Sequence, residues 1–294
     1  MGELSVNGLS LPEHLSYSQV STILRCGEQY RLERGLGIRS RPMWAGVGGS
    51  AVHKVSEIFD ALLLGEGLVL SDDEVRDVFR AEFDREINET GERSGVDPSL
   101  WYCSGRASKA YPNKEDHRWW DEHGPGFALS WKSWRLVAPW EIWINPRTGA
   151  PAVEYEFNVT IGGNKVKGFI DRIMVSGGQL VVVDLKTNSR EPDSTLQLGT
   201  YREAVWQQEG VSPEIGAYWM ARTGSTTMPK MLTEWSTERL DFTYAEADHR
   251  RKNNRLMASP SPMCTACGVR DFCFAVGGSR VHEVPSPWAG SGNA

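Results

Sequence analysis

Four cysteines constrain this chain more than any other feature. Cys264, Cys267 and Cys273 read C-x2-C-x5-C, and Cys26 stands more than two hundred residues upstream. So divided a set is useful only if the fold returns the C-terminal segment to the N-terminal one around a shared ligand. Four thiolates can hold either a tetrahedral zinc ion or an iron–sulfur cluster. Zinc ribbons usually supply two C-x2-C knuckles. Here one ligand is solitary on an expected helix, and the pair is followed five residues later by a third, which suits a cluster better. Five cysteines in all, irregularly spaced, argue against a disulfide framework. The spare one, Cys103, reads as an inert buried thiol or as a substitute for Cys26. Clustered cysteines without disulfides fit a reducing cytoplasm.

The remaining bulk properties mostly exclude. At 294 residues the chain suits one large domain or two modest ones. No apolar run is long enough to cross a membrane, and no basic-then-apolar N-terminus suggests a secretory signal. A net charge of −6 counts mildly against nucleic-acid binding. Local patches matter more than the total, however. One lies between residues 25 and 54, with Arg25, Arg31, Arg34, Arg39, Arg41 and Lys54; the other is His249-Arg250-Arg251-Lys252 with Arg255. Seven of the twelve tryptophans fall between Trp101 and Trp143. They imply an aromatic core or, alternatively, a platform for unpaired bases.

Residues 16 to 34 read as a helix capped by Ser16 and containing Cys26. Gly46, Gly48 and Gly49 read as a flexible loop, with Ser50 capping the next helix. On that helix His53 and Glu57 share a face. A further helix is expected over 71–92. Short helices broken at Gly105, Pro112, Gly124 and Pro139 are expected in a helical insertion over 60–150. From 152 the pattern becomes strand-like. Strands are expected at 152–161, 165–175, 180–185, 214–222 and 230–236, and helices at about 194–209 and 243–257. The Pro/Gly/Ser-rich tail from 285 to 294 reads as disordered.

Asp171 and Asp184 fall on two strands joined by a tight turn. Adjacent strands sit about 5 Å apart, so both carboxylates can converge on one cation. Asp184 and Lys186 alternate onto one face of their strand, directly after the apolar run Leu180-Val181-Val182-Val183. A core strand ending in two charges needs a reason, because unpaired buried charge is costly; an ordinary ion pair at a strand end is the simpler one. Hard cations held by carboxylates would offset charge developing in phosphodiester hydrolysis. Lys186 could then orient the attacking water. His53 could complete the metal site from its helix. Glu154 and Glu156 share a parity and both could face the site, Glu154 being the better candidate. Gln197 and Tyr201, one helical turn apart, could hold a phosphate or support Lys186.

These residues together resemble the RecB-like branch of the PD-(D/E)xK nuclease superfamily. The matching pieces are Gly48-Gly49-x3-His53-x3-Glu57, Val166-x-Gly168-Phe169-Ile170-Asp171-Arg172, Val183-Asp184-Leu185-Lys186 and Gln197-Leu198-x2-Tyr201. With the cysteines added, the chain resembles the iron–sulfur subgroup, which includes the CRISPR-adaptation nuclease, the AddB nuclease domain and phage exonucleases. The resemblance implies an α/β, restriction-endonuclease-like core whose central mixed sheet is flanked by helices. It implies Mg²⁺ or Mn²⁺ at Asp171, Asp184 and the Leu185 carbonyl with His53, and a 4Fe–4S cluster on Cys26, Cys264, Cys267 and Cys273. Glu57 and Glu154 are further candidates. The insertion over 60–150 lies outside the resemblance.

The expectation is one nuclease domain over 1–284, with its catalytic sheet at 152–240 and a cluster-binding segment at 259–275. The expected activity is metal-dependent hydrolysis of DNA, by an exonuclease acting on ends or single strands in recombination, repair or replication. Its setting would be the cytoplasm, including that of a phage host, with a helicase or recombination protein as a possible partner. The alternatives are a non-catalytic nucleic-acid scaffold and a structure-processing endonuclease.

Overall fold

A computed structural model describes residues 3–6 and 8–286. From residue 287 onward the expected disordered tail lies outside the described residues. The chain forms two compact units interleaved along the sequence. The first comprises residues 1–42, 160–166 and 241–294, and the second residues 43–159 and 167–240.

In the first unit, strands β1 (Glu3–Val6) and β2 (Leu9–Pro12) form an antiparallel hairpin. The expected helix over 16–34 divides. Helix α1 (Tyr17–Arg25) begins where Ser16 Oγ accepts from Gln19 N at 3.3 Å. The short α2 (Gly27–Tyr30) then runs into a π-helical turn at Arg31–Gly35. Cys26 is therefore not inside a helix. It is the extended residue between two, with φ −159° and ψ 102°. The break follows from packing: a Cβ on Gly27 would fall 2.7 Å from the Leu256 Cα, so this turn lies directly on the C-terminal backbone. Arg251 ties the same regions together, donating to the Pro12 carbonyl at 2.7 Å.

The second unit begins with a helical layer of α3 (Trp44–Glu66), α4 (Asp72–Ser94) and α5 (His117–Val137). The glycines expected as a loop are inside α3. Helical glycine costs about 1 kcal/mol relative to alanine, but here any Cβ on Gly48 would collide with the Trp120 indole. The close approach of α3 and α5 requires the residue. Trp44, Val47, Ala51, Val52, Val55 and Phe59 form the buried stripe of α3. Helix α4 starts with a capping box in which Ser71 and Glu74 exchange hydrogen bonds. Helix α5 is continuous through Gly124 and Pro125, where a break was expected. Trp120, Ala128, Trp131 and Arg135 recur on its buried side, and packing of that stripe outweighs the local cost of proline. Trp101, Trp120 and Trp131 belong to this core, so most of the tryptophan excess is buried packing.

The sheet follows. Strands β3 (Glu141–Ile142), β4 (Val153–Ile161), β5 (Asn164–Ser176) and β6 (Gln179–Lys186) precede α6 (Leu196–Glu209). After it come β7 (Ile215–Met220), β8 (Ser225–Thr226) and β9 (Lys230–Met231), then α7 (Thr237–Lys252). The tip of the β4–β5 hairpin and most of α7 belong to the first unit. The strand expected at 230–236 is only two residues long, and the last helix begins and ends earlier than expected. Seven strands make one sheet in the order β3-β5-β6-β7-β8, with β4 on β5 and β9 on β7. β5 and β6 pair antiparallel, whereas β6 and β7 pair parallel across α6, so the sheet is mixed.

One polar network crosses the apolar layer. Asp60 of α3 is fully buried and accepts from Arg172 Nε of β5 at 2.7 Å and from Arg135 Nε of α5 at 2.8 Å. Arg172 also donates to Ser56 Oγ at 2.9 Å and lies over the Trp131 ring at 5.1 Å. Removing one member of a buried charge set strands the others, typically at about 3–5 kcal/mol. Asp60→Ala is expected to lower the urea unfolding midpoint of the second unit by a corresponding amount. A midpoint unchanged from the wild type would show that the network does not hold these elements together.

Candidate active site

Strand β6 is apolar until its end. Val181, Val183 and Leu185 turn into the core shared with α3 and α5, which places Asp184 and Lys186 on the opposite face. There α6 meets them. Lys186 Nζ stands 2.5 Å from Asp184 Oδ2 and donates to Gln197 Oε1 at 3.1 Å. Gln197 Nε2 donates to Tyr201 Oη at 2.8 Å, and Tyr201 donates back to Asp184 Oδ1 at 3.2 Å. The four side chains close a ring. Burial pushes the Asp184 carboxyl up to about 6; the Lys186 charge opposes this and the Asp171 charge adds to it. Burial also holds the Tyr201 hydroxyl well above its ordinary range, which keeps it a donor.

Asp171 follows from strand register. Arg172 of β5 pairs with Val183 of β6, so Asp171 and Asp184 are one step further along adjacent strands. Asp171 Oδ2 accepts from the Leu185 N–H at 2.6 Å. His53 Nε2 of α3 donates to the Leu185 carbonyl at 3.0 Å, and its Nδ1 is 3.6 Å from Asp171 Oδ2. The Leu185 backbone is thus held on both sides. With the Nε2 proton gone, that nitrogen and the Leu185 carbonyl would converge as two ligand atoms on one cation.

Glu154 completes this cluster from β4. Donor atoms of His53, Glu154 and Asp171 lie within 4.8 Å of one another. Glu154 has φ 47°, a left-handed backbone costly for a residue with a side chain. The reversal breaks the β4 alternation, so Glu156, expected to share the site face, is exposed instead. Burial raises the Glu154 carboxyl above its usual range, with a further contribution from Asp171. Asp184 is not part of this three-residue group. Its Oδ2 is buried without a well-aligned hydrogen bond and stands against the Lys186 ammonium.

Hard oxygens plus one imidazole suit Mg²⁺ or Mn²⁺. Crowded carboxylates driven toward the neutral form are the arrangement that a divalent charge would relieve. The cluster opens into a cleft of about 470 Å³ lined also by Lys54, Glu57, Arg85, Glu86 and Thr187. Glu57 is ion-paired with Lys54 at 2.8 Å. Sequence reading missed Ser56 and Asp60, which follow His53 at i+3 and i+7 on α3. A lone acid in the run Ile58-Phe59-Asp60-Ala61-Leu62 was the available signal.

Cys26, Cys264, Cys267 and Cys273 lie in the first unit, and Cys103 in the second. Cys264, Cys267 and Cys273 sit on or beside successive 3-10 turns, and all five cysteines are half-buried and free of disulfides. Backbone N–H groups serve the sulfurs: Ser261 to Cys264 at 3.3 Å, Val269 to Cys267, and Ala275 and Val276 to Cys273. Burial raises the Cys267 and Cys273 thiols, and the Cys26 charge adds to both, so these three sulfurs feel one another. Beside them Leu32, Val269 and Val284 form a small core, and Arg41 N donates to the Gly268 carbonyl at 3.0 Å.

Among the described residues no helix is long and apolar enough to cross a membrane. The chain is 29% identical over 284 residues to the Gene 69 protein of Mycobacterium phage L5, covering 88% of this chain and 95% of the relative. It is likewise 29% identical over 266 residues to the Gene 69 protein of Mycobacterium phage D29, with the same coverage. The profile of the PD-(D/E)XK nuclease superfamily matches residues 14–274, a span that contains the mixed sheet and every acid and base of the cleft. On that match, the chain belongs to the PD-(D/E)XK nuclease superfamily.

Proposed function

We propose that this nuclease is a divalent-metal-dependent deoxyribonuclease that degrades DNA from ends, as single strands or linear duplexes. The observation that carries the reading is the assembly of Asp171, Asp184 and Lys186 with His53 and the Leu185 carbonyl at the end of one core strand. Mg²⁺ or Mn²⁺ would be held by Asp171, Asp184, the Leu185 carbonyl and His53, with Glu154 as a further carboxylate. When bound, such a cation supplies charge neutralisation at the scissile phosphate and lowers the pKa of water.

The side chains do the remaining work. Lys186 places a fixed positive charge where the attacking oxygen and the phosphate meet, and a preorganised charge of this kind favours the transition state. Gln197 and Tyr201 hold that ammonium against Asp184, and His53 and Asp171 fix the Leu185 backbone. Lys186→Ala is expected to lower kcat on linear DNA by roughly a hundredfold or more. Chelation of divalent metal should abolish activity in the wild type. Wild-type kcat in a folded Lys186→Ala would sink the assignment.

The end-dependent reading is tested separately. Closed circular single strands and covalently closed plasmid should resist while their linearised forms are degraded. Equal degradation of circles would make the enzyme an endonuclease and leave the metal site untouched.

We further propose that Cys26, Cys264, Cys267 and Cys273 hold a 4Fe–4S cluster, in keeping with a reducing cytoplasm. The solitary Cys26 and the C-x2-C-x5-C spacing of the others favour a cluster over the paired knuckles of a zinc ribbon. The backbone N–H groups aimed at the sulfurs are the kind of outer support that tunes such clusters. Cys26→Ala should lose the broad visible absorbance of anaerobically purified protein and unfold at lower temperature. A cluster-free variant as stable as the wild type would contradict a structural role.

A further inference from the structure

Besides the apolar core it shares with β6, the tryptophan-rich insertion reaches the end of that strand through Arg222. Beyond β7, Arg222 Nε donates to the Thr187 carbonyl at 2.8 Å, immediately after Lys186. Its other two nitrogens each stand 3.1 Å from an oxygen of Glu115. Its guanidinium lies over the rings of Trp119 and Phe127, at 4.9 Å and 5.5 Å from their centroids. Glu115 is itself held by Ser104 Oγ at 2.7 Å. One residue earlier, Ala221 N donates to the Lys186 carbonyl at 2.8 Å. The strand end that carries Lys186 is thus gripped at two successive carbonyls, and the second grip depends on groups drawn from the insertion.

We propose that Arg222 is a positioning residue for the nuclease reaction: it clamps the Thr187 carbonyl so that Lys186 keeps its place against Asp184 and Gln197. The inference rests on the reading of Lys186 as part of the catalytic set. It also assigns a task to the insertion, which supplies Glu115, Trp119 and Phe127 to hold the clamp. Only arginine fits. Its flat fork sends Nε toward one acceptor and two nitrogens toward a carboxylate while its face rests on an indole, whereas a lysine offers a single point charge. A misplacement of about 1 Å can cost a hundredfold in rate, so a remote clamp of this kind would act on kcat. A merely stabilising ion pair would act on the unfolding midpoint alone.

The test compares wild type, Lys186→Ala, Arg222→Ala and Arg222→Lys on linear DNA with Mg²⁺ or Mn²⁺, at a temperature where all are folded. Both Arg222 variants are expected to lose about tenfold or more in kcat with KM within about twofold. Ethylguanidinium should restore part of the kcat of Arg222→Ala and none of that of Lys186→Ala. Amide exchange at Thr187 and Asn188 should quicken in both Arg222 variants. Folded Arg222 variants with wild-type kcat, a loss confined to KM, or unchanged exchange at those amides would overturn the clamp. Wild-type kcat in Lys186→Ala would instead overturn the reading of the site, and the inference with it. Should Arg222→Ala fail to fold, Glu115→Gln with Arg222→Lys carries the same comparison.

Discussion

One buried carboxylate holds the catalytic unit in register. Asp60, with no exposed surface, binds guanidinium groups from β5 and α5 and so joins three elements that are distant in sequence. Charges are rarely placed this deep unless paired, because desolvation is costly. The network repays that cost in geometry. Arg172 is the residue after Asp171, so fixing the arginine fixes the strand that presents the aspartate. His53 lies two helical turns before Asp60 on the same α3, so the anchor also sets which face of the helix looks into the cleft. The ring of Asp184, Lys186, Gln197 and Tyr201 and the proposed metal donors depend on this alignment.

Electrostatics within the cleft follow from the same packing. Asp184 and Glu154 are both pushed toward the neutral form by burial, and each feels the charge of Asp171. Lys186 stands against Asp184, and Glu154 lies 3.4 Å from the Arg172 guanidinium, yet both carboxyls remain raised, and Glu154 shares its cluster with His53 and Asp171. The tension is local and sits where a divalent cation would remove it.

Several elements were legible in residue pattern. The turn at Gly177 and Gly178 with the apolar run before Asp184 located β6, and α6 with Gln197 and Tyr201 followed from helical spacing. The placement of Glu154 was only half legible. Parity predicted that it would travel with Glu156, and a left-handed residue in β4 separated them. The glycines near residue 48 read as a loop because glycine normally interrupts helices. For Gly48 the real cause, an indole from a helix seventy residues away, exists only after folding. Cys26 was expected inside a helix for a similar reason, since nothing local announces the backbone of Leu256 against Gly27.

The sequence by itself determined the family and the chain order of the candidate site residues, and it marked where helical periodicity gives way to strands. Those properties rest on residue type and on periods of two and 3.6, which are local. Only the tertiary structure decided which carboxylates share a donor group, that Asp60 anchors Arg172, and that Arg222 joins the tryptophan-rich insertion to Thr187. Each of these depends on approach distances between segments far apart in the chain. A distance of that kind is set by how side chains of particular volume pack, and it is not written in any spacing along the sequence.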